Sequence, residues 1–243
     1  LLYSYNYREQ CLNAVRRAHS LRPRDRFIQR ALADAQYAVG NINLTDGYPQ
    51  EAFETFREAH ANDPEYVGAL TGGVRAALNM SNVNLAEETL RWAAPEQRSI
   101  FQVLSYSGLV ALQRLDYDRA RDAFEEAASR GQESPTMHIG LGIVELKRDR
   151  TESAHRHFRR ALEIATDPGD ALFNIVDSCT YHDVAHQARP YAGLLVSAAS
   201  VAIADDPGNP ALYTRRALAY RTLGDDTSAA RDEAAARSLS GWW

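Results

Sequence analysis

Small and large apolar residues recur along this chain at helical spacing, with a period of 34 residues. In each copy a small residue is followed by apolar residues at i+4 and i+7, which places all three on one face of a helix. The three columns are Ala52, Ala86, Ala120, Ala154 and Ala188; Phe56, Leu90, Phe124, Phe158 and Ala192; and Ala59, Ala93, Ala127, Ala161 and Leu195. Three columns that share one period predict an internal helical repeat.

A second amphipathic pattern precedes each of these helices, as in Gln102–Arg114 and Thr136–Lys147. Short polar breaks separate the two patterns, which predicts helix pairs joined by tight turns. Cap residues followed by proline predict helix starts at Ser134 and Asn209. Three Asp-Pro steps predict the ends of second helices, because proline cannot continue the helical ladder. These steps are Asp63-Pro64, Asp167-Pro168 and Asp206-Pro207.

This unit resembles the tetratricopeptide repeat, in which leucine-glycine, tyrosine, alanine and phenylalanine stand at fixed offsets over 34 residues. The residues that carry the resemblance are Leu141, Gly142, Ala154, Phe158 and Ala161, and in the last unit Tyr213, Ala217, Tyr220, Gly224, Ala229 and Ala236. The unit that ends near Gly131 lacks the closing proline, and the unit from Gly169 lacks the glycine turn. The resemblance implies an all-α, right-handed superhelical solenoid of antiparallel helix pairs with about six to seven repeats.

The predicted repeats form one solenoid domain and differ in length. Their boundaries are 1–25 (a truncated repeat), 26–66, 67–100, 101–134, 135–168, 169–209 and 210–243. The units 26–66 and 169–209 have 41 residues each, seven more than the period. Seven residues are close to two helical turns, so the excess could lengthen a helix or a loop. The candidate loops are 40–43 and 182–190.

Composition and motifs argue against several functions. The formal net charge is −5 and Lys147 is the only lysine, so there is no basic excess for nucleic acid. No apolar run reaches the roughly 20 residues that span a bilayer. His182 and His186 could share a helix face as metal ligands, but a third ligand and the glutamate of the HExxH motif are absent, so a polar turn is the preferred interpretation. We expect no enzyme activity, no cofactor and no metal.

The resemblance implies that first helices line a concave groove for an extended peptide or a helix. By position, the residues expected to contact a partner are Arg30, Asp34, Tyr37, Asn41, Arg75, Asn79, Gln102, Tyr106, Gln113, Asn174, Asp177, Tyr181 and Arg215. The first four form a polar stripe opposite Ile28, Leu32, Ala35 and Val39. The alternative is an ordinary solvated face. The lysine of the family's chaperone-tail clamp is missing, which argues against that partner.

The leading hypothesis is a non-enzymatic scaffold for protein interactions, part of a longer protein and able to self-associate through uncapped ends. The alternative is a periplasmic module of a bacterial exopolysaccharide export protein, which a signal peptide and a barrel in the full-length gene would favour. The sequence assigns no compartment beyond an expected bacterial cytoplasm or periplasm. At the ends, Tyr3, Tyr5 and Tyr7 are expected to belong to a truncated helix pair, and Trp242 and Trp243 to a following segment or tail.

Overall fold

The computed structural model describes the backbone of residues 2–240 and the side chains of residues 10–240. This part of the chain contains thirteen α-helices and no strand, which confirms the all-α prediction. The side chains of Tyr3, Tyr5 and Tyr7, and the residues Trp242 and Trp243, lie outside the described residues, and so do the predictions made for them.

The helices form two compact units, unit 1 over residues 1–132 and unit 2 over residues 133–243. Unit 1 contains α1 (Leu2–Leu21), α2 (Arg26–Thr45), α3 (Pro49–Asn62), α4 (Val67–Asn79), α5 (Val83–Leu90), α6 (Phe101–Gln113) and α7 (Tyr117–Ser129). Unit 2 contains α8 (Pro135–Leu146), α9 (Thr151–Ile164), α10 (Pro168–Tyr181), α11 (Arg189–Asp205), α12 (Pro210–Leu223) and α13 (Asp226–Leu239). From α2 onwards, even-numbered helices are the first helices of pairs and odd-numbered helices are the second.

The repeated apolar columns form the cores of the two units. All five alanines of the first column are fully buried. Phe56 of α3 fills the space above Gly40 of α2 and Gly72 of α4, and a Cβ added at either glycine would lie 2.6 Å from the ring. Phe124 faces Gly108 and Phe158 faces Gly142 in the same way. Each glycine therefore lets a phenylalanine of a second helix pack directly against the backbone of a first helix.

One left-handed residue ends the first helix of each pair. These residues have φ between 55° and 87° and are Gly47, Ser81, Leu115, Asp149, Asp183 and Gly224. At Leu115 the backbone N–H donates to the carbonyl of Leu112 at 2.8 Å, and the next N–H, of Asp116, donates to that of Ala111 at 2.9 Å. This pair of bonds is the Schellman motif, which satisfies the last carbonyls of the helix.

The left-handed residues also show where the two seven-residue additions lie. From Gly47 to Asp183 they keep the 34-residue spacing, so the first addition precedes Gly47 and the second follows Asp183. The first lengthens a helix, because α2 has 20 residues whereas α4 has 13. The second is divided between a short 3-10 turn at Ala185–Ala188 and the 17-residue helix α11.

One predicted helix end is a helix start. Asp167 and Pro168 begin α10, whereas α9 already ends at Ile164. The Asp167 side chain accepts hydrogen bonds from the N–H groups of Gly169 at 2.7 Å and Asp170 at 3.2 Å. The carboxylate is therefore an N-cap and the proline takes the first helical position, where its missing N–H costs nothing. Asp63 and Asp206 do cap the ends of α3 and α11.

Candidate partner-binding groove

Three first helices of unit 1 bring five predicted contact residues together. These are Tyr37 and Asn41 on α2, Arg75 and Asn79 on α4, and Tyr106 on α6. The five residues share one surface because α4 packs between α2 and α6. An open pocket of about 380 Å³ lies there, and its lining consists of Tyr37, Asn41, Leu44, Thr45, Arg75 and Asn79. We call this surface the α2–α4 groove.

Arg75 is the charged group of this groove and has a neutral partner. The side chain is half-buried, and one terminal N–H group donates to the Oδ1 atom of Asn41. Its Nε atom is enclosed without a hydrogen-bond partner. Within residues 10–240, no carboxylate forms an ion pair with Arg75. The positive charge is therefore satisfied only in part by the protein itself.

Two tyrosines form walls that belong both to the groove and to the core. The Tyr37 ring lies 5.7 Å from that of Phe56 and meets the Tyr66 ring edge-on at 5.5 Å. Tyr37 and Tyr106 both pack against the buried apolar cluster that contains Phe56. Burial raises the pKa of the Tyr106 phenol, and the nearby Arg75 charge opposes that rise. The phenol therefore stays neutral at ordinary pH and can donate or accept a hydrogen bond.

Arg30 and Asp34 lie on α2 but bind within the protein. Arg30 pairs with Asp63 at 3.0 Å and lies 4.3 Å over the ring of Tyr66. Asp34 lies 3.7 Å from Arg30. Burial, together with a hydrogen bond to Asp34, raises the pKa of Tyr66. Both predicted residues therefore have partners of their own, which leaves them less free to bind another protein than Arg75.

The buried face of α2 differs from the expected stripe of Ile28, Leu32, Ala35 and Val39. The buried residues are Leu32, Ala33, Gln36 and Gly40. The face is rotated because Gly40 must admit the ring of Phe56. Gln36 is tolerated there because its amide donates to Glu58 at 3.0 Å and accepts from Asn62 at 2.9 Å.

Sequence reasoning missed two residues of the α2–α4 groove. Leu44 and Thr45 line the pocket from the last turn of α2. They lie there because the 41-residue unit extends this helix beyond the length of its neighbours. The 41-residue length of this unit indicates seven additional residues, but it does not show whether they lengthen a helix or a loop.

The other predicted residues lie outside this pocket. On α6, Gln102 is exposed in the first turn and Gln113 is half-buried at the last residue. In unit 2, Asn174, Asp177 and Tyr181 are exposed along one face of α10. Arg215 of α12 pairs with Asp170 at 2.5 Å and lies 5.2 Å over the ring of Phe173.

The histidines considered as metal ligands have different surroundings. His182 is 4% exposed at the end of α10, whereas His186 is exposed. Burial, reinforced by the charge of Lys147, lowers the pKa of His182 to about 4. Among the described side chains, no three histidine, cysteine, aspartate or glutamate residues are arranged to hold a metal ion. Nor does any helix within residues 2–240 have both the length and the apolar character that crossing a membrane requires.

Comparisons with known proteins agree with this architecture. Residues 107–171 match a family model described as tetratricopeptide repeat, and no curated protein sequence matches the chain. A chain of the APC/C hetero-tetramer Cut9–Hcn1 is 16% identical with a TM-score of 0.64, and the match covers 98% of this chain and 44% of that one. A tetratricopeptide repeat protein from Parabacteroides merdae is 15% identical with a TM-score of 0.64, and the match covers 99% of this chain and 89% of that one. The protein pilF of Pseudomonas aeruginosa is 20% identical with a TM-score of 0.52, and the match covers 87% of this chain and 93% of that one. At these identities the likeness shows the fold, and this chain spans less than half of the Cut9–Hcn1 chain.

Proposed function

We propose that this chain, which belongs to the tetratricopeptide-repeat family, holds a peptide segment of a partner protein in the α2–α4 groove. The fold is that of a protein-interaction scaffold. The proposal of a peptide site in this groove rests on one observation, which is that side chains from three helices converge on one surface. They are Tyr37, Asn41, Arg75, Asn79 and Tyr106.

The chemistry of this surface suits a peptide. Asn79 is exposed, and its amide can donate to and accept from a peptide backbone. The two tyrosines are held by the core, so they offer apolar area with little loss of rotamer freedom on binding. Tyrosine and arginine are also the residue types that most often dominate binding energy at protein interfaces.

A matched pair of substitutions tests the proposal. Asn79→Arg places a bulky side chain in the α2–α4 groove, whereas Asn174→Arg makes the same change on an exposed face of unit 2. Both changes are at exposed helical sites and should leave stability within about 0.5 kcal/mol. We expect Asn79→Arg to weaken capture of bound proteins at least about tenfold in a pull-down read by mass spectrometry, and Asn174→Arg to retain capture.

Two outcomes would contradict this assignment. If both variants captured the same proteins as the unaltered chain, the α2–α4 groove would not be the binding surface. If only Asn174→Arg lost capture, the contacts would lie on the α10 face, with Asp177 and Tyr181. Circular dichroism of each variant controls for unfolding.

The export module is the alternative setting for such a scaffold. It rests on the sequence, in which Lys147 is the only lysine among 27 basic residues, a composition typical of GC-rich genomes. A full-length gene without a signal peptide before this segment would reject the periplasmic setting and leave the groove proposal unchanged.

A further inference from the structure

We propose that Arg75 receives the carboxylate of an aspartate or glutamate side chain in the partner segment, so that the α2–α4 groove selects acidic peptides. This inference rests on the proposed function of the groove and adds the chemical class of its ligand.

The pocket lining contains one charged residue, and that residue is cationic. The others, Tyr37, Asn41, Leu44, Thr45 and Asn79, are neutral. The chain as a whole carries a formal net charge of −5, so its average field repels an acidic peptide. Attraction for a carboxylate at this surface must therefore come from the local charge of Arg75.

Several other arginines reach a neighbouring segment of the chain and pair with a carboxylate there, although Arg189 of α11 donates to the backbone carbonyl of Leu223. These pairs are Arg30 with Asp63, Arg114 with Glu87, Arg160 with Glu133, Arg215 with Asp170, and Arg216 with Asp232. Arg75 instead meets the amide of Asn41. Partial burial of a guanidinium against a neutral amide recovers less of its lost hydration than a carboxylate would. A carboxylate of the partner peptide supplies the negative charge that the Asn41 amide lacks.

The geometry leaves hydrogen bonds for that carboxylate. A guanidinium has five N–H groups, of which one terminal group donates to Asn41 and the Nε–H is enclosed. The remaining terminal N–H groups form the fork that matches the two oxygens of a carboxylate. Asn79 lies one helical turn after Arg75 and also lines the pocket, where its amide can donate to the same carboxylate or to the adjoining backbone.

A side-chain carboxylate fits this site better than a chain terminus. The pocket is an open depression lined by α2 and α4 and is not an enclosed cavity, so its shape does not require the peptide to end at Arg75. The experiment separates these two sources of carboxylate.

The test uses an array of acetylated, amidated dodecapeptides of varied sequence, each synthesised with glutamate, glutamine or lysine at one central position. A second copy of the array carries free C-terminal carboxylates. We expect the unaltered chain to bind glutamate peptides about tenfold more strongly than their glutamine counterparts, in both copies. Arg75→Gln should reduce that ratio to about one, whereas the control Arg160→Gln, which alters an arginine of unit 2 that is paired with Glu133, should preserve it.

A second variant keeps the test decisive if Arg75→Gln fails to fold. Asn79→Asp places a carboxylate one turn from Arg75, which gives it the kind of partner that Arg215 already has in Asp170. The arginine stays in place, yet the preference for glutamate peptides should fall to near one. Arg75→Lys keeps the charge without the fork and should retain part of the preference.

The outcomes distinguish this inference from the groove proposal. Equal binding of glutamate and glutamine peptides, or a glutamate preference that survives both Arg75→Gln and Asn79→Asp, overturns the role of Arg75. Binding that requires a free C-terminus overturns the side-chain assignment. If peptides bind without charge preference and Asn79→Arg abolishes that binding, the role of Arg75 is overturned, whereas the proposal that the α2–α4 groove binds a peptide is retained. If no peptide binds, both are overturned.

Discussion

Arg75 of unit 1 and Arg215 of unit 2 both lie on first helices, and their surroundings differ in one respect. Arg215 meets Asp170, a carboxylate on the preceding first helix α10. Arg75 meets Asn41, an amide on the preceding first helix α2. The same kind of helix stack can therefore place an arginine beside a carboxylate or beside a neutral amide, and the residue on the preceding helix decides which.

Unit 2 also contains a more deeply buried version of the internally paired arginine. Arg216 donates to Asp232 from two nitrogens, at 2.7 and 2.8 Å, and a third nitrogen donates to Ser200 at 3.1 Å. The Asp232 side chain is 5% exposed. A pair enclosed in this way leaves a buried charge behind when one partner is removed.

The largest expected effect is the loss of stability when that carboxylate is neutralised. Asp232→Asn should lower the free energy of unfolding of unit 2 by about 3 kcal/mol, because Arg216, whose side chain is 20% exposed, then stays largely enclosed beside a neutral amide. Asp170→Asn, which removes the half-exposed partner of Arg215, should cost at most about 1 kcal/mol. Urea denaturation at pH 7 measures both. Equal losses for the two variants would mean that burial does not separate the two arginines.

A second expected effect concerns the response of unit 2 to acid. The pKa of His182 is lowered to about 4 in the folded chain, against about 6.5 when unfolded. Between these values the unfolded state binds the extra proton, so stability is complete above pH 6.5 and is lost as the pH falls towards 4. The loss from this residue amounts to at most about 3 kcal/mol at pH 4.

Comparing variants at two pH values isolates that contribution. His182→Gln should lose less stability than the unaltered chain between pH 7 and pH 4, whereas the exposed His186→Gln should follow the unaltered chain. Urea denaturation at each pH gives the difference. An identical slope for His182→Gln and the unaltered chain would show that His182 does not control the acid response of unit 2.

Unit 1 contains a histidine with a pKa shift in the same direction. The His60 ring stacks on Trp92 with the ring centroids 5.0 Å apart, and burial lowers the pKa of His60, while the charge of Asp63 opposes that shift.

The helical repeat could be predicted from the sequence because its cause is steric and periodic. Buried alanines and phenylalanines must recur wherever helices approach at the same distance, so columns such as Ala120 and Phe124 are visible in the residues themselves. The residues of the α2–α4 groove could be grouped by helix in the same way. Their hydrogen-bond partners could not, because a contact such as Asn41 with Arg75 depends on the two additional turns of α2 and on how two helices cross.

The turns show a second limit of sequence reasoning. Gly47 and Gly224 suggest left-handed helix ends, since glycine adopts positive φ without steric cost. Ser81 and Leu115 occupy the same position without any such signal. The Schellman hydrogen bonds are made by the backbone, so an unfavourable residue is tolerated at a cost of about 1 kcal/mol.

The smallest expected effect tests whether this turn is the same in both units. Leu115 has φ of 60° and is 55% exposed, so Leu115→Gly relieves steric strain while giving up little burial. We expect a gain of about 0.5 kcal/mol in unfolding free energy, since part of the roughly 1 kcal/mol of relieved strain is offset by the greater freedom of glycine in the unfolded chain. Gly224→Ala in unit 2 reverses the change and should lose about 1 kcal/mol. Thermal and urea denaturation measure both, and a loss of stability in Leu115→Gly would show that the leucine side chain contributes more through its remaining contacts than its backbone conformation costs.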